Sequence, residues 1–149
     1  MRLLIQRVNE ASVTVDEKLI SSINKGLLVF VGIGQQDSKS EAQWLANKVA
    51  KLRIFPDKFG KTNLSLKDVS GSALVVSQFT LYAETKKGLR PSFINAAHPE
   101  YAKPLIQYFA EQLQSNKIPV QLGQFGADMK IALINNGPVT IYMERNPKS

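Results

Sequence analysis

The chain has 149 residues, of which 44% are hydrophobic and none is cysteine. This length and composition predict one folded domain, residues 1–149, and exclude a disulfide framework and a thiol nucleophile. Lysine and arginine outnumber the acids by 19 to 12, and the net charge of +7 favours a polyanionic partner. No apolar run approaches the ~20 residues that cross a bilayer, and no signal peptide is visible, so we expect a cytoplasmic protein without a membrane partner.

The first part of the chain is predicted to be β-structure. Apolar and polar residues alternate between turn signals, and a continuous apolar run follows Gly26. The predicted strands cover residues 2–8, 11–16, 19–23 and 27–33. A continuous apolar run is typical of a strand that is buried on both faces, so the last of these is expected at the centre of the sheet.

Two helices are predicted, each from its own signal. Ser38 and Glu41 form a capping box at the start of the first, and apolar residues spaced three and four apart continue it. Trp44 is expected to pack into the core beside this helix. The second helix covers residues 99–115, and Pro104 requires either a later start or a bent first turn.

The rest of the chain is again β-structure. The remaining strands are predicted at residues 72–80, 119–124, 129–135 and 138–144. This order of elements predicts an α/β fold: a β-rich single domain whose mixed sheet curls into a barrel under two covering helices.

Two of these strands end in polar or turn-forming residues. Residues 73–76 run into Ser-Gln-Phe-Thr at 77–80, and residues 131–134 run into Asn-Asn-Gly-Pro at 135–138. A buried strand that presents polar side chains or bare backbone at its end is a common way to build a small-molecule site. An ordinary strand-to-turn junction with satisfied polar groups would explain either segment alone.

Other candidate sites are rejected. Gly32 and Gly34 follow a strand, but a dinucleotide-binding turn needs a third glycine where Asp37 stands. His98 is the only histidine and is interpreted as a helix start. Too few nitrogen or sulfur ligands are therefore present for a metal site, and no metal or cofactor is expected.

Taken together, the two strand-end segments resemble the D-aminoacyl-tRNA deacylases. The Ser-Gln-Phe-Thr segment precedes the Gly-Pro of Asn-Gly-Pro-Val-Thr in the order that this family shows. Further matches are Leu4–Val8, Ala11–Val15, Arg53–Phe55, Arg90–Phe93 and Phe125–Met129. The resemblance therefore covers nearly the whole chain. It implies an enzyme that hydrolyses the ester between a D-amino acid and the 3′ end of tRNA, working as a homodimer in translation quality control.

The resemblance places the catalytic chemistry at Ser77, Gln78, Phe79 and Thr80. Thr80 is the obvious nucleophile by residue type, but no base lies near it in the sequence, and a hydroxyl without a base is a weak nucleophile. We therefore interpret these residues mainly as shaping the site and donating hydrogen bonds, with Thr80 as nucleophile kept as an alternative. The family's chemistry depends on backbone groups and on the 2′-hydroxyl of the terminal adenosine.

The resemblance also assigns the selection of substrate. It implies a cis Gly137–Pro138 peptide bond that enters the partner subunit's site and leaves no space for an L side chain. The residues expected to bind substrate and adenosine are Ala102, through its N–H, with Phe125 and Met129. Three cations beside the candidate site are expected to contact tRNA phosphates, namely Lys86, Lys87 and Arg90.

A protein of another class remains an alternative. The charge of +7 and an aromatic side chain such as Phe125 would also suit a non-catalytic nucleic-acid-binding protein on the same fold. A pure binder would not need both strand-end segments, so their joint presence favours the enzyme.

Overall fold

The computed structural model describes residues 1–148, which form eight strands, two α-helices and one 3₁₀ helix. The strands are β1 (Arg2–Val15), β2 (Lys18–Ile23), β3 (Gly26–Gly32), β4 (Phe55–Pro56), β5 (Thr62–Leu64), β6 (Ser72–Ser77), β7 (Val120–Leu122) and β8 (Lys130–Glu144). The helices are α1 (Lys39–Lys51), the 3₁₀ helix (Phe79–Tyr82) and α2 (Pro99–Ser115).

One mixed sheet contains six of these strands. Its order is β2-β1-β3-β6-β7. β8 pairs with the edge of β1 that faces away from β2 and β3. β1 is antiparallel to its neighbours, whereas β3, β6 and β7 are parallel to one another. β2 also approaches β6 and β7, so the sheet curls nearly into a barrel. The predicted fold, a mixed, curled sheet with two covering helices, is confirmed.

The apolar run of β3 is buried because both faces of the sheet are covered. Leu27 and Val29 pack towards the two helices, whereas Leu28 faces the inside of the curled sheet. β6 alternates in the same way, with Val75 towards the helices and Leu74 inside. Each face therefore has its own apolar cluster, which is why these central strands read as continuous apolar runs.

Both predicted helices form. The Ser38 hydroxyl accepts a hydrogen bond from the Ser40 N–H, and the Glu41 carboxylate accepts one from the Ser38 N–H at 2.7 Å, so the capping box closes. α2 begins at Pro99 and includes Pro104. The helix therefore does not begin after Pro104. Pro104 lies in the second turn of α2 and cannot donate the backbone hydrogen bond that another residue would donate there. Among the described residues, neither helix is long and apolar enough to cross a membrane.

Several strand boundaries differ from the predicted ones. Residues 2–15 form one strand rather than two, and the segments predicted at 129–135 and 138–144 are joined in β8. The strand predicted at 72–80 ends at Ser77, where the 3₁₀ helix follows. In the first two cases the pairing of β1 with β8 overrides local turn signals, and in the third the chain leaves the sheet for the 3₁₀ helix.

Trp44 was wrongly assigned to the core. Its side chain is 39% exposed, because it precedes the buried Leu45 and points about 100° away from the apolar stripe of α1. Two cations lie over its ring instead: the Arg145 guanidinium at 4.5 Å and the Lys48 ammonium at 5.7 Å from the ring centroid.

Candidate active site

A cleft of about 690 Å³ opens at the carboxyl ends of β3 and β6. Parallel neighbours end at the same edge of a sheet, so the residues that follow these two strands meet there. Val31 and Val76 contribute to its lining from the strand ends. Residues 93–99, the first turns of α2 and residues 125–129 supply the other walls.

Three of the four residues of the first polar segment line this cleft, and Thr80 does not. Ser77, Gln78 and Phe79 line it, and the Gln78 N–H donates to the Val31 carbonyl at 2.8 Å, which fixes the turn to β3. Thr80 is exposed, and its hydroxyl accepts a hydrogen bond from the Gln78 side-chain amide. Within residues 1–148 this amide is the one hydrogen-bond partner of that hydroxyl, so no general base contacts Thr80.

Two glycines allow the 3₁₀ helix to lie close to β3. A Cβ atom on Gly32 would lie 3.0 Å from the Gln78 carbonyl oxygen and 3.1 Å from Leu81 Cβ. A Cβ atom on Gly34 would lie 2.8 Å from the Tyr82 hydroxyl. The two glycines therefore allow close packing beneath the cleft, and this packing leaves no space there for a dinucleotide.

Asp37 anchors the same region from within. Its buried carboxylate accepts hydrogen bonds from the Gly34 N–H at 2.6 Å and the Tyr82 hydroxyl at 3.3 Å, and it pairs with the Met1 ammonium at 2.6 Å. Burial, and next the charge of Asp37, raise the pKa of Tyr82 above its ordinary value. The hydroxyl therefore stays protonated and remains a donor to the carboxylate.

Ala102, Phe125 and Met129 lie on the walls of this cleft, so the structure brings them together with the Ser-Gln-Phe-Thr segment. The resemblance implied that Ala102 offers its N–H to the substrate. In this structure the Ala102 N–H donates to the His98 carbonyl at 2.9 Å in the first turn of α2, and its contact with a substrate stays a prediction. Ala102 also contributes a small side chain to the wall.

Sequence reasoning missed one wall of the cleft. Phe93, Ile94 and His98 line it from the segment before α2. The rings of Phe79 and Phe93 meet edge to face with centroids 5.1 Å apart. His98 does precede the helix, as predicted, but its side chain caps no N–H and it faces the cleft. The family match at residues 90–93 already contained Phe93 and was the available signal.

The three predicted phosphate-binding cations do not line the cleft. Lys86, Lys87 and Arg90 are exposed on the loop after the 3₁₀ helix. The loop is closed by two backbone hydrogen bonds between Glu84 and Ser92, at 2.8 and 3.0 Å. Their contact with tRNA stays a prediction.

The polar groups of the cleft are few. They include the Ser77 hydroxyl, the Gln78 amide and the His98 imidazole, set among apolar and aromatic side chains. Among residues 1–148, no three His, Asp or Glu side chains lie close enough to hold a metal ion. A small group with a few polar atoms fits this lining, held by backbone and amide hydrogen bonds.

Gly137 and Pro138 lie outside the cleft of their own chain. β8 leaves its register with β1 at residues 136–139, which project opposite Arg7. The Gly137–Pro138 peptide bond is cis, the isomer that the resemblance implied, and both residues are exposed. Gly137 has a φ of 142°, and a Cβ there would lie 3.0 Å from the Arg7 guanidinium, so glycine is required. The segment 136–139 is termed the Gly-Pro loop below.

Two side chains to which the sequence analysis gave no individual role hold the Gly-Pro loop. Arg7 Nε donates to the Asn136 carbonyl at 2.8 Å, and Arg7 Nη1 donates to the Ile54 carbonyl at 2.7 Å. Asn135 Oδ1 accepts from the Val139 N–H at 2.8 Å, and its Nδ2 donates to the Val139 carbonyl at 3.2 Å. The sequence did contain signals of these contacts: an arginine within a strand, and a pair of asparagines directly before Gly-Pro.

A curled mixed sheet with a cleft at the ends of its parallel strands defines an α/β protein with a small-molecule site. Comparison with known proteins gives the family. The model of the D-Tyr-tRNA(Tyr) deacylase family matches residues 4–144. A D-aminoacyl-tRNA deacylase of Thermomicrobium roseum is 60% identical over 97% of this chain and 94% of its own. One of Fusobacterium nucleatum is 56% identical over 97% and 95%. The chain belongs to the D-Tyr-tRNA(Tyr) deacylase family.

Solved structures share the fold. One named "c-Myc DNA Unwinding Element Binding Protein" aligns with a TM-score of 0.92 and 38% identity, covering 99% of this chain and 100% of that one. A structure of "a probable eukaryotic D-amino acid tRNA deacylase" has a TM-score of 0.83 and covers 95% and 97% of the two chains. It is 16% identical and supports the fold alone.

Whether the side chain of Asn135 fixes the Gly-Pro loop can be tested without a substrate. Asn135→Ala removes the acceptor of the Val139 N–H, and one such hydrogen bond contributes about 0.5–1.5 kcal/mol. Amide hydrogen exchange at Val139 should therefore accelerate about two- to tenfold. Asn136→Ala is the matched control, because it keeps the backbone carbonyl that Arg7 holds and should leave the rate unchanged. Equal exchange in both variants would show that the side chain of Asn135 does not fix the loop.

Proposed function

We propose that this protein hydrolyses the ester bond of D-aminoacyl-tRNA and releases the free D-amino acid and tRNA. The supporting observation is that the strand-end cleft and the Gly-Pro loop occur together in a chain 60% identical to a D-aminoacyl-tRNA deacylase. Residues 1–149 act as one catalytic domain, and the reaction serves chiral proofreading in the cytoplasm.

The proposed chemistry needs little from side chains. An aminoacyl ester is already activated, so positioning and stabilisation of the oxyanion suffice. Phe79 and Thr80 begin the 3₁₀ helix, where N–H groups have no acceptor within the helix and are available to an oxyanion. Ser77 and the bonded pair of Gln78 and Thr80 shape this corner of the cleft. The 2′-hydroxyl of the terminal adenosine takes part in place of a protein base.

The walls suggest how the 3′ end lies. The ring of Phe125 and the thioether of Met129 give the adenosine a stacking and packing surface, and Ala102 leaves room beside it. Lys86, Lys87 and Arg90 lie on the exposed loop that follows the Gln78–Thr80 corner and contact the phosphates of the tRNA. No metal and no cofactor enters this scheme.

A homodimer completes the proposed site. Within the described residues, β8 pairs with β1 alone, so one edge of a 15-residue strand is left unpaired. Exposed edges of this length are normally covered, and a second copy supplies the cover. The Gly-Pro loop projects away from its own cleft, which supports its entry into the partner subunit's cleft.

Selection against L substrates follows from the backbone of this loop. Two carbonyl groups fixed side by side hold the amino group of the substrate, and the space on the L side is closed by backbone atoms. Arg7 and Asn135 make this wall rigid through their four hydrogen bonds to backbone atoms. The D side stays open, so the site rejects by exclusion and does not recognise one particular D side chain.

A second function class has one observation in its favour. The structure named "c-Myc DNA Unwinding Element Binding Protein" shares 38% identity with this chain, so a nucleic-acid-binding protein without catalysis on this fold is the alternative. Release of amino acid from D-tyrosyl-tRNA, and none from L-tyrosyl-tRNA, distinguishes the enzyme from the pure binder.

The exclusion mechanism makes a sharp prediction for glycine. Glycine keeps the amino group that the carbonyls hold and has no side chain to exclude, so glycyl-tRNA should be cleaved together with D-alanyl-tRNA. L-alanyl-tRNA should resist, because its methyl group meets a rigid backbone wall, where rejection exceeds the ~1–3 kcal/mol of one methylene in an apolar pocket. D-Tyr, D-Asp and D-Phe should all be accepted. Deacylation rates decide the matter, and glycine as resistant as L-alanine would refute exclusion.

Thr80→Ala tests the role of the hydroxyl. If Thr80 shapes the site, the variant keeps measurable activity, with a loss of at most about 10²–10³-fold for one transition-state hydrogen bond. Thr62→Ala, which removes an exposed hydroxyl from β5, is the control and should match the wild type. Chelators should affect none of them. Complete loss in Thr80→Ala, with a trapped acyl-enzyme in the wild type, would instead make Thr80 the nucleophile.

The shared site requires a dimer. Sedimentation should give about twice the chain mass of 16.5 kDa at the concentrations used for the assay. A monomer that remains fully active would contradict entry of the Gly-Pro loop into a partner's cleft.

A further inference from the structure

A second hollow lies along the outer side of α1, away from the cleft. It has a volume of about 430 Å³ and is termed the α1 groove. It is lined by Trp44, Asn47, Lys48, Lys51, Leu52 and Arg53. Three of these six side chains are cationic and none is acidic, so the groove suits an anionic ligand.

Trp44 gives the α1 groove a flat stacking surface. It is the only tryptophan of the chain and is 39% exposed, although a side chain of this size is normally well buried. Lys48 and Arg145 lie 5.7 and 4.5 Å from its ring centroid, so an aromatic face and two cations stand together. Exposed aromatic rings among cations are how proteins hold unpaired or terminal bases along a phosphate backbone.

Within the described residues, no direct ion pair neutralises the cations of the groove. Among residues 1–148, none of the ion pairs involves Lys48, Lys51, Arg53 or Arg145. Arg53 is bonded only to the neutral side chain and backbone carbonyl of Asn63. Two cations over the Trp44 ring, with Lys51 and Arg53 further along the groove, favour a polyanion over a protein segment or a neutral small molecule.

The groove is joined to the Gly-Pro loop through one side chain. Arg53 at the end of the groove precedes Ile54, whose carbonyl accepts from Arg7 Nη1 at 2.7 Å. Arg7 Nε holds the Asn136 carbonyl next to Gly137 at 2.8 Å. In the proposed dimer, where the Gly-Pro loop enters the partner subunit's cleft, this link would place the α1 groove on the side of that cleft.

We propose that the α1 groove binds the body of the tRNA whose aminoacylated end occupies the partner subunit's cleft. Trp44 stacks on an exposed base or ribose near the 3′ end, and the surrounding lysines and arginines contact phosphates. The inference rests on the proposed function for the identity of the RNA and on the proposed dimer for its path. The proposed contact would strengthen the binding of the tRNA and would not affect the cleavage of the ester bond.

Two substrates separate this contact from the chemistry. With D-tyrosyl-tRNA, Trp44→Ala should raise KM about 5- to 150-fold, the range for loss of one stacked base, with little change in kcat. With D-tyrosyl-adenosine, which does not reach the groove, kcat and KM should be unchanged. Phe59→Ala is the matched control, because Phe59 is 75% exposed beside Lys58 but lies outside the groove. An equal loss on both substrates, or no loss on either, would overturn the proposal.

The single tryptophan also allows a test without catalysis. Uncharged tRNA should quench the fluorescence of Trp44 in the wild-type dimer, and added salt should reverse the quenching. Joint replacement of Lys48 and Lys51 by alanine should reduce the salt dependence of binding by one to two phosphate contacts, whereas Lys130→Ala should not. Binding of tRNA that leaves the fluorescence of Trp44 unchanged would overturn the proposal. Failure of the wild type to cleave either ester would refute the proposed function and leave this binding test standing.

Mixed dimers test the path across the subunits. One subunit carries Trp44→Ala with an intact cleft, and the other carries Ala102→Trp, which fills its cleft, with an intact groove. In this mixed dimer the only open cleft and the only intact groove lie on different subunits. If the tRNA crosses between subunits, as proposed, the open cleft still uses the intact groove, and KM should equal that of the wild type. A KM as high as that of the Trp44→Ala homodimer would place cleft and groove on the same subunit and refute the crossing.

Discussion

The guanidinium of Arg7 joins three parts of the molecule that are distant in sequence. It projects from β1, accepts no hydrogen bond, and donates both to the carbonyl of Ile54 after α1 and to the carbonyl of Asn136 in the Gly-Pro loop. A planar group with donors at fixed angles can bridge two carbonyls in one geometry, which a lysine ammonium cannot impose. Arg7 therefore links the loop to the segment after α1, and both the proposed selection and the proposed tRNA contact depend on this link.

Much of the fold follows from local signals, and the exceptions have physical causes. The capping box at Ser38 and the apolar run of β3 are properties of short windows, so α1 and the central strand were predictable. β8 was not: Gly137 and Pro138 carry turn signals, yet β1 pairs with the strand on both sides of them, and the pairing makes one strand with a projecting loop. Pairing between residues 2–14 and 130–144 is invisible to any local pattern.

The candidate site shows the same division. The residues of the Ser-Gln-Phe-Thr segment were predictable because a strand delivers them to its own end. Phe93 and His98 reach the cleft from a loop that contacts the residues just after β3, for example through the Ala97 N–H, which donates to the Ile33 carbonyl at 2.9 Å. Trp44 was misplaced because spacing identifies the buried stripe of a helix well but says little about a large residue beside it.

The proposed enzyme thus separates two tasks that most binding sites combine. In the proposed scheme, discrimination of chirality rests on backbone atoms of the Gly-Pro loop, whose position does not depend on which D side chain is present. Binding of the RNA is assigned in the same scheme to exposed side chains outside the cleft, such as Trp44 and Lys48. A site that accepts every D-amino acid gains no binding energy from the side chain, so its affinity has to come from the common part of its substrates, and that part is the tRNA.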